Sequence, residues 1–311
     1  MKKLSWLLLA VLLQGTVSFS RTERTGFPVL QGPYFGQKPP GMTPEIFAPG
    51  IVSTVEFEFA GGFSADGKEY FFTRRPDYEG SENRIYCSQR LDNKWTRPVL
   101  APFARDVFEF IPVICPGGDK VIFYSERPKP PAAGLDGDLW VSERNEKGWN
   151  EPTYFLNPAN RKYCMMVSST QSGTLYFSGL FNGRRGVFRS EYRSGKYAEM
   201  EYLPEEINAI RPAHPFIAPD ESFMIMDAQV TGMGKPELFV SFRRADGSWT
   251  RAANLGAEIN ATKTEFAGSV SPDGRYIFFH RRVNGNGDIY WVSAKILDKI
   301  RQEVIEKEGD K

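Results

Sequence analysis

Three glutamates occupy one place in a pattern that recurs along the chain. Glu58, Glu109 and Glu265 each stand six residues before the start of a polar turn, where the two remaining repeats carry Cys164 and Pro212. Carboxylates that converge on one axis could bind a cation or a polar ligand. Each glutamate could instead accept backbone N–H bonds or pair with an arginine and so hold its loop. The repetition favours this structural role, because functional residues usually break the symmetry of repeats.

The two histidines of the chain stand near the same place in the pattern. His214 follows Pro212 by two residues, and His280 ends an apolar run in the fifth repeat. With Glu265 they could form a metal or acid–base cluster. Two histidines that stand there by chance are the simpler reading, and the sequence predicts no bound metal and no cofactor.

Arginines follow the corresponding apolar runs of the first and fifth repeats. Arg74 and Arg75 end the first of these runs, and Arg281 and Arg282 end the second. A cationic patch at this place could receive an anionic ligand. Salt bridges with the neighbouring glutamates explain the same arginines equally well.

No catalytic signature accompanies these residues. The chain has no Gly-x-Ser-x-Gly, no His-Glu-x-x-His, no phosphate loop and no dinucleotide fingerprint. A glycosidase could still use two carboxylates without any motif. The sequence therefore favours a binding protein over an enzyme, and a carbohydrate-active hydrolase or lyase that uses the glutamates is the alternative.

The elements that must position these residues repeat five times. Each repeat consists of a polar turn, an apolar run, a loop and a second apolar run. The turns begin at Ser64, Cys115, Thr170, Ala218 and Ser271. Runs such as Tyr70-Phe-Phe and Tyr276-Ile-Phe-Phe are aromatic or β-branched, which favours strands. A period of about 50 residues built from short strands is typical of a β-propeller.

Aromatic residues follow the second run in four repeats and open a further, outer strand. They are Trp95, Trp149, Tyr197 and Trp249. They could be ligand platforms, but filling the gaps between blades is the favoured role, because the same slot recurs from repeat to repeat.

The fifth repeat has no outer strand of its own, because residues 294–311 carry no such pattern. Residues 43–52, at the other end of the chain, resemble the outer-strand segment at residues 95–103. We therefore predict an all-β fold, a single β-propeller over residues 42–295 with five four-stranded blades closed by the N-terminal strand. Such closure leaves no exposed inner edge, and a propeller of six blades is the less favoured alternative.

In this architecture the candidate binding residues share the rim at which the inner strands begin, around the central channel. They are Glu58, Glu109, Cys164, His214, Glu265, His280, Arg75 and Arg282. Because every blade contributes one inner strand to the channel, residues at this position surround one axis.

The two ends of the chain lie outside the predicted propeller. Residues 1–20 have the pattern of a cleaved signal peptide, with Lys2 and Lys3 before a short apolar run and small residues after it. Residues 21–41 form a Pro/Gly-rich extension, and residues 296–311 place apolar side chains at the spacing of an amphipathic helix. We expect a periplasmic or secreted protein with no transmembrane segment in the mature chain.

The charge of the chain gives no case for nucleic acid. Lys and Arg number 39 against 38 Asp and Glu, so the formal net charge is +1, whereas a surface that binds nucleic acid is usually basic. The expected partner is an envelope or extracellular protein or a glycan, and the chain is expected to be a monomer.

Three cysteines remain in the mature chain, at Cys87, Cys115 and Cys164. Secretion permits disulfides, but Cys115 and Cys164 lie on neighbouring inner strands at positions roughly 20 Å apart along the strand direction. This distance exceeds the reach of a disulfide, and we predict none within the chain.

The turn and strand signature resembles that of a known family. Ser271-Pro-Asp-Gly, followed by an aromatic run and then by Asp288-Ile-Tyr-Trp-Val-Ser, is similar to the WD40-like PD40 repeats of TolB-like β-propellers. The resemblance covers nearly the whole mature chain, and residues 34–53 resemble the N-terminal signature of a secreted bacterial subgroup. The third and fourth repeats depart from the motif at Gln171-Ser-Gly and Pro219-Asp-Glu. The resemblance implies an envelope binding scaffold, although some related propellers act on sugars or accompany peptidases.

Overall fold

The computed structural model describes residues 26–76, 80, 82–131, 137–161, 164, 166–229, 235–262 and 264–309. The signal peptide predicted at residues 1–20 lies outside these residues. The described strands form five antiparallel sheets with four main strands each, arranged as the blades of a propeller. The predicted all-β, five-bladed fold is therefore confirmed.

Each blade is a meander whose inner strand lines the channel and whose outer strand faces away from it. Blade I consists of Phe57–Phe63, Glu69–Arg75, Arg84–Leu91 and Val99–Leu100. Blade II consists of Glu109–Ile114, Lys120–Ser125, Leu139–Asn145 and Thr153–Tyr154. Blade III consists of Val167–Ser169, Leu175–Phe181, Arg184–Ser190 and Glu201–Tyr202. Blade IV consists of Ala213–Ile217, Phe223–Gln229, Pro236–Phe242 and Ala253–Asn254.

Blade V joins the two ends of the chain. Its strands, from the channel outward, are Phe266–Val270, Tyr276–Val283, Asn286–Ser293 and Glu45–Ile46. Glu45 pairs with Trp291, and Ile46 pairs with Tyr290. This pairing confirms the predicted closure of the ring by the N-terminal strand.

Two aromatic side chains pack beside the strand pairing that closes the ring. The short 3-10 turn Tyr34–Gly36 places Tyr34 and Phe35 in the cluster between blades V and I, where both side chains are buried. Phe35 stacks on Trp95 with ring centroids 4.2 Å apart, and the hydroxyl of Tyr34 donates to Asp273 at 2.7 Å. Burial of these rings stabilises the junction between blades V and I, next to the strand pairing that closes the ring.

The third strand of several blades continues into a short hairpin before the outer strand. The second arms of these hairpins are Lys94–Trp95, Gly148–Trp149 and Lys196–Tyr197. In blade III the second arm pairs with Tyr192–Arg193. In blade I the outer strand proper begins only at Val99. The aromatic residue therefore precedes the outer strand instead of opening it, which corrects the prediction. Trp95 and Trp249 are buried between blades, as predicted.

A β-bulge interrupts the inner strand in four of the described blades. The bulged residues, with their positive φ angles, are Ala60 (51°), Ile111 (54°), His214 (42°) and Ala267 (51°). The N–H of Ile111 donates to Thr73 Oγ1 at 2.8 Å, and the N–H of Ala267 donates to Asp227 Oδ1 at 3.1 Å. Each of these bonds links a bulge to the second strand of the preceding blade. Neighbouring blades are therefore hydrogen-bonded to each other at this end of the channel.

The helices lie at the edge of the ring. Pro158–Arg161 and Glu205–Asn208 are single turns in connections between blades. Lys295–Gly309 packs Ile296 and Ile300 against the apolar cluster between blades IV and V. None of the helices in the described part of the chain is long and apolar enough to cross a membrane.

Candidate functional site

Glu58 lies near the start of the inner strand of blade I and is completely buried. Its carboxylate accepts hydrogen bonds from Arg74 Nε at 2.8 Å, from Thr54 Oγ1 at 2.6 Å and from Thr54 N at 3.1 Å. Arg74 also donates to the carbonyls of Ile51 and Val52, both at 3.0 Å. Burial raises the pKa of Glu58, and the bonds from Thr54 and the charge of Arg74 oppose that shift. This Glu–Arg clamp fastens the loop that enters the strand.

The same Glu–Arg clamp is present in blades II and V. Glu109 accepts hydrogen bonds from Arg127 Nε at 3.1 Å and from Ser125 Oγ at 2.7 Å. Glu265 accepts one from Arg281 Nε at 3.0 Å. Each arginine also donates to backbone carbonyls of the entering loop. All three carboxylates are completely buried, so the contacts are those of the structural alternative, in which each glutamate holds its loop.

The equivalent positions of blades III and IV contain other residues. Cys164 is buried, its Sγ donates to the carbonyl of Met166 at 3.3 Å, and burial raises the pKa of its thiol to about 12. Pro212 has no polar side chain, and in its blade His214 pairs with Asp227. The free and buried cysteines are Cys87, Cys115 and Cys164.

The two histidines have opposite electrostatic surroundings. His214 Nδ1 lies 2.9 Å from Asp227 Oδ1, and although burial lowers the pKa of His214, this carboxylate raises it above its usual value. His280 is 1% exposed, and its Nδ1–H donates to the carbonyl of Glu58 at 2.8 Å. Burial lowers the pKa of His280 to about 3, so its ring is neutral. Both rings lie beside Phe266, with centroids 5.9 and 4.4 Å from its ring.

The structure does not join the two histidines and Glu265 into a metal site. The Glu265 carboxylate is occupied by hydrogen bonds from Thr262, Thr264 and Arg281. Within the residues that the structure describes, no three His, Cys, Asp or Glu side chains are grouped so that they could hold a metal ion.

The arginines of the predicted patch fall into two groups. Arg74 and Arg281 belong to the Glu–Arg clamps and point their guanidinium groups at buried carboxylates. Arg75 and Arg282 are partly exposed, and their charges add to burial in lowering the pKa of His280. Arg75 and Arg282 are therefore the members of the patch that an anionic group in solution can approach.

Aromatic rings close the channel at the rim where the inner strands begin. Phe59 of blade I lies with its ring centroid 6.4 Å from that of Phe110 in blade II and 5.8 Å from that of Phe266 in blade V. Met166 of blade III packs into the same cluster. Phe59, Phe110 and Met166 are only 5–7% exposed. This aromatic plug makes the channel a blind cavity, closed at the rim that carries the predicted residues.

The channel opens at its opposite end, where the polar turns lie. A funnel of about 550 Å³ is formed there by residues from all five blades, and a narrow segment of about 60 Å³ continues it toward the aromatic plug. Its walls include the half-buried apolar side chains of Val113, Phe216 and Val270, together with Ser168 and Ser271. Apolar walls that carry a few polar groups are typical of ligand pockets.

The sequence did not lead to this funnel, because its walls carry no cluster of ionisable residues. A signal was nevertheless present next to the turns. Val113 and Ile114 are both apolar, and so are Phe216 and Ile217, although successive side chains of an inner strand point to opposite faces. An inner strand that is apolar on both faces next to its turn indicates an apolar channel at that end.

Several solved structures share the fold, whereas no protein-family model and no curated protein match the chain. TolB from Acinetobacter baumannii is 12% identical, with a TM-score of 0.46 over 78% of this chain and 53% of that chain. An oligogalacturonate lyase in complex with manganese is 15% identical, with a TM-score of 0.40 over 75% of this chain and 64% of that chain. The catalytic domain of the GH62 α-L-arabinofuranosidase from Coprinopsis cinerea is 9% identical, with a TM-score of 0.50 over 82% of this chain and 97% of that chain.

At these identities the similarity concerns the fold. The five-bladed ring is consistent with the TolB-like β-propeller that the repeat motif predicted, and the chain spans about half the length of the A. baumannii TolB chain. Because a fold does not specify the function of a protein, the function has to be argued from the cavities and side chains of this chain.

Proposed function

We propose that this protein is a periplasmic or secreted binding scaffold whose funnel receives part of a partner, either a segment of an envelope or extracellular protein or a small ligand. The observation that carries the proposal is the shape of the channel, which is open at the turn end and closed by the aromatic plug at the other. The location follows from the signal-peptide pattern of residues 1–20. A single chain closes the ring, so the proposal needs no second copy.

The funnel favours recognition by burial of apolar surface over recognition by charge. Its volume of about 550 Å³ falls within the range of small-molecule pockets. Val113, Phe216 and Val270 offer apolar surface, and each Å² removed from water contributes about 25 cal/mol. Because the funnel has a single opening, a ligand bound in it has most of its surface removed from water.

In this proposal the residues of the opposite rim support the closed end. Glu58, Glu109 and Glu265 hold the loops that enter the inner strands, since each is buried and bonded to an arginine. Arg75 and Arg282 are the rim groups that remain partly exposed. They are assigned to contacts with an acidic group of a partner that also covers this rim.

A carbohydrate-active hydrolase or lyase is the less well supported alternative. A glycosidase needs two carboxyl groups that reach the glycosidic bond, whereas the three rim glutamates are completely buried beside arginines. Oligogalacturonate lyase and GH62 arabinofuranosidase are names of proteins that share the fold, and a shared fold does not specify the chemistry of a site.

The proposal is tested by obstructing the funnel. The substitution Val270→Trp adds a large side chain to the funnel wall. The control Val99→Trp makes the same change on the outer strand of blade I, at a position that is 58% exposed and outside the funnel. The mature protein and both variants are immobilised, exposed to envelope extract, and the captured molecules are identified by mass spectrometry. We expect the wild type and Val99→Trp to capture the same partner and Val270→Trp to lose it.

Equal capture by all three proteins would contradict the proposal. Thermal unfolding of each variant shows whether the ring is intact, and the affinity of the purified partner for each variant then gives the size of the effect. If Val270→Trp does not fold, Phe216→Ala removes apolar wall from the same funnel and is expected to weaken the binding.

A further inference from the structure

The hairpin extensions of three blades carry the same pair of residues on their two arms. Arg90 stacks over Trp95 at 5.9 Å, Arg144 over Trp149 at 4.4 Å and Arg243 over Trp249 at 5.6 Å from the ring centroid. In blade III the two positions hold Tyr192 and Tyr197, which face each other in the hairpin with ring centroids 4.9 Å apart. The symmetry of the repeats is therefore broken at one hairpin, and both members of the pair have changed.

A cleft opens where the pair has changed. It lies between blades II and III, has a volume of about 780 Å³, and runs beneath the hairpin that carries the two tyrosines. Tyr192 stands where the other hairpins have an arginine, and it is 39% exposed. Tyr197 stands where they have a tryptophan, is half-buried like Trp149, and packs edge-on against Phe155 with centroids 6.0 Å apart. The change of the pair therefore leaves one aromatic side chain partly exposed beside the cleft.

The remaining walls of the cleft combine apolar side chains, such as Phe155 and the exposed Leu156, with polar groups that are nearly balanced in charge. Asp119 lies at one side, and Lys120 and Lys196 lie at others. The ammonium group of Lys120 is paired with Glu143 at 2.8 Å. Gln171 adds an exposed amide that can both donate and accept. Such walls offer many hydrogen bonds without selecting an anion or a cation.

We propose that this cleft binds a neutral oligosaccharide, with one sugar ring stacked on the tyrosines Tyr192 and Tyr197. A sugar ring has an apolar C–H face and a polar edge of hydroxyl groups, and an exposed tyrosine presents a matching apolar face with a polar tip. The cleft lies beside the funnel, and Cys115, Pro116, Ser169 and Gln171 line both cavities. The inference goes beyond the proposed scaffold function and does not depend on it.

Calorimetric titration with cellohexaose, maltohexaose and chitohexaose tests the inference. We expect the wild type to bind at least one of them and Tyr192→Ala to weaken that binding about tenfold, the effect of losing one aromatic contact. Tyr197→Ala removes the second ring of the pair and is expected to weaken binding by a similar factor. The matched control, Trp149→Ala, removes the half-buried ring at the equivalent position, at the junction of blades I and II, and is expected to leave the Kd within about twofold.

Two results would overturn the inference. One is that the folded wild type binds none of the three hexasaccharides. The other is that Tyr192→Ala and Tyr197→Ala, both shown by thermal unfolding to be folded, bind as the wild type does. The funnel variant Val270→Trp separates this inference from the proposed function. If Val270→Trp loses sugar binding while both tyrosine variants keep it, the sugar binds in the funnel and not in the cleft.

Discussion

The rim end of the channel holds the buried pair of Glu58 and Arg74 and the aromatic plug. At the turn end Val270 and Phe216 stay partly exposed around an open funnel. The rim end holds most of the residues that could do chemistry, and the turn end holds few ionisable groups. A cluster of ionisable residues therefore does not mark the open site in this protein. Here the buried charges hold loops, and the accessible cavity lies where the walls are apolar.

The difference has a physical cause. A buried charge is tolerated only when a partner and hydrogen bonds compensate its lost hydration, so every glutamate of the rim is fully engaged and has no free capacity for a ligand. The half-buried apolar groups of the funnel keep surface exposed to water, which a ligand can cover with a gain in free energy.

The largest expected effect comes from breaking a clamp. Glu109→Ala leaves Arg127 buried without its carboxylate, and we expect the free energy of unfolding to fall by about 3–5 kcal/mol. Glu143→Ala is the control in the same blade, because Glu143 pairs with Lys120 at the surface and its side chain is 55% exposed; its cost is expected to stay below about 1 kcal/mol. Urea denaturation measures both, and equal costs would contradict the assignment of the clamps as structural.

A smaller expected effect is the difference in stability cost between truncating a ring of the aromatic plug and truncating a ring of the funnel wall. Phe59→Ala removes a ring that is 5% exposed and is expected to cost about 3 kcal/mol, the lower end for a buried phenylalanine. Phe216→Ala removes a half-buried ring at the open end and is expected to cost less than about half as much. If Phe216→Ala proves the more costly change in urea denaturation, the two ends are not packed as described.

The neutral His280 predicts a dependence of stability on pH. Its pKa is about 3 in the folded chain and 6.5 as the ordinary value, so its contribution is present above pH 6.5 and is lost as the pH falls toward 3. Between pH 6 and pH 5 the wild type is expected to lose about 1 kcal/mol more unfolding free energy than His280→Gln. If the two proteins lose the same free energy of unfolding between pH 6 and pH 5, the pKa of His280 is not lowered in the folded chain.

The smallest effect has the opposite sign and comes from His214. Its pKa is raised in the folded chain by Asp227 against the effect of burial, so its contribution is present below its ordinary pKa and is lost as the pH rises through the folded value. Wild type and His214→Gln are compared by urea denaturation at pH 5.5 and pH 8. The advantage of the wild type is expected to shrink at pH 8, and an advantage that grows there would contradict the role given to Asp227.

Part of the candidate site could be predicted from the sequence. The arginines that follow the apolar runs pointed to pairing with the glutamates, and Arg74 and Arg281 do pair with Glu58 and Glu265. Arg74 and Arg281 each follow their glutamate by 16 residues. Arg127 follows Glu109 by 18 residues and lies beyond the strand Lys120–Ser125, so the offset indicated the clamps of blades I and V only. The aromatic plug was not predicted, since its phenylalanines come from different blades.

The sequence by itself determined the blades, their number and the closing strand. These depend on short runs of aromatic and β-branched residues, on turn residues and on a period, all of which act between neighbours in the chain or in one hairpin. Glu45 and Ile46 could be assigned to blade V because their segment repeats the pattern of the other outer strands.

Only the tertiary structure decided which end of the channel is open and where clefts lie between the blades. A cavity is space left between side chains from distant segments, so its existence depends on packed volumes and not on any local pattern. The cleft beside Tyr192 and the funnel beside Val270 are such spaces. Their walls come from several blades, and the ring had to be closed before either could be seen.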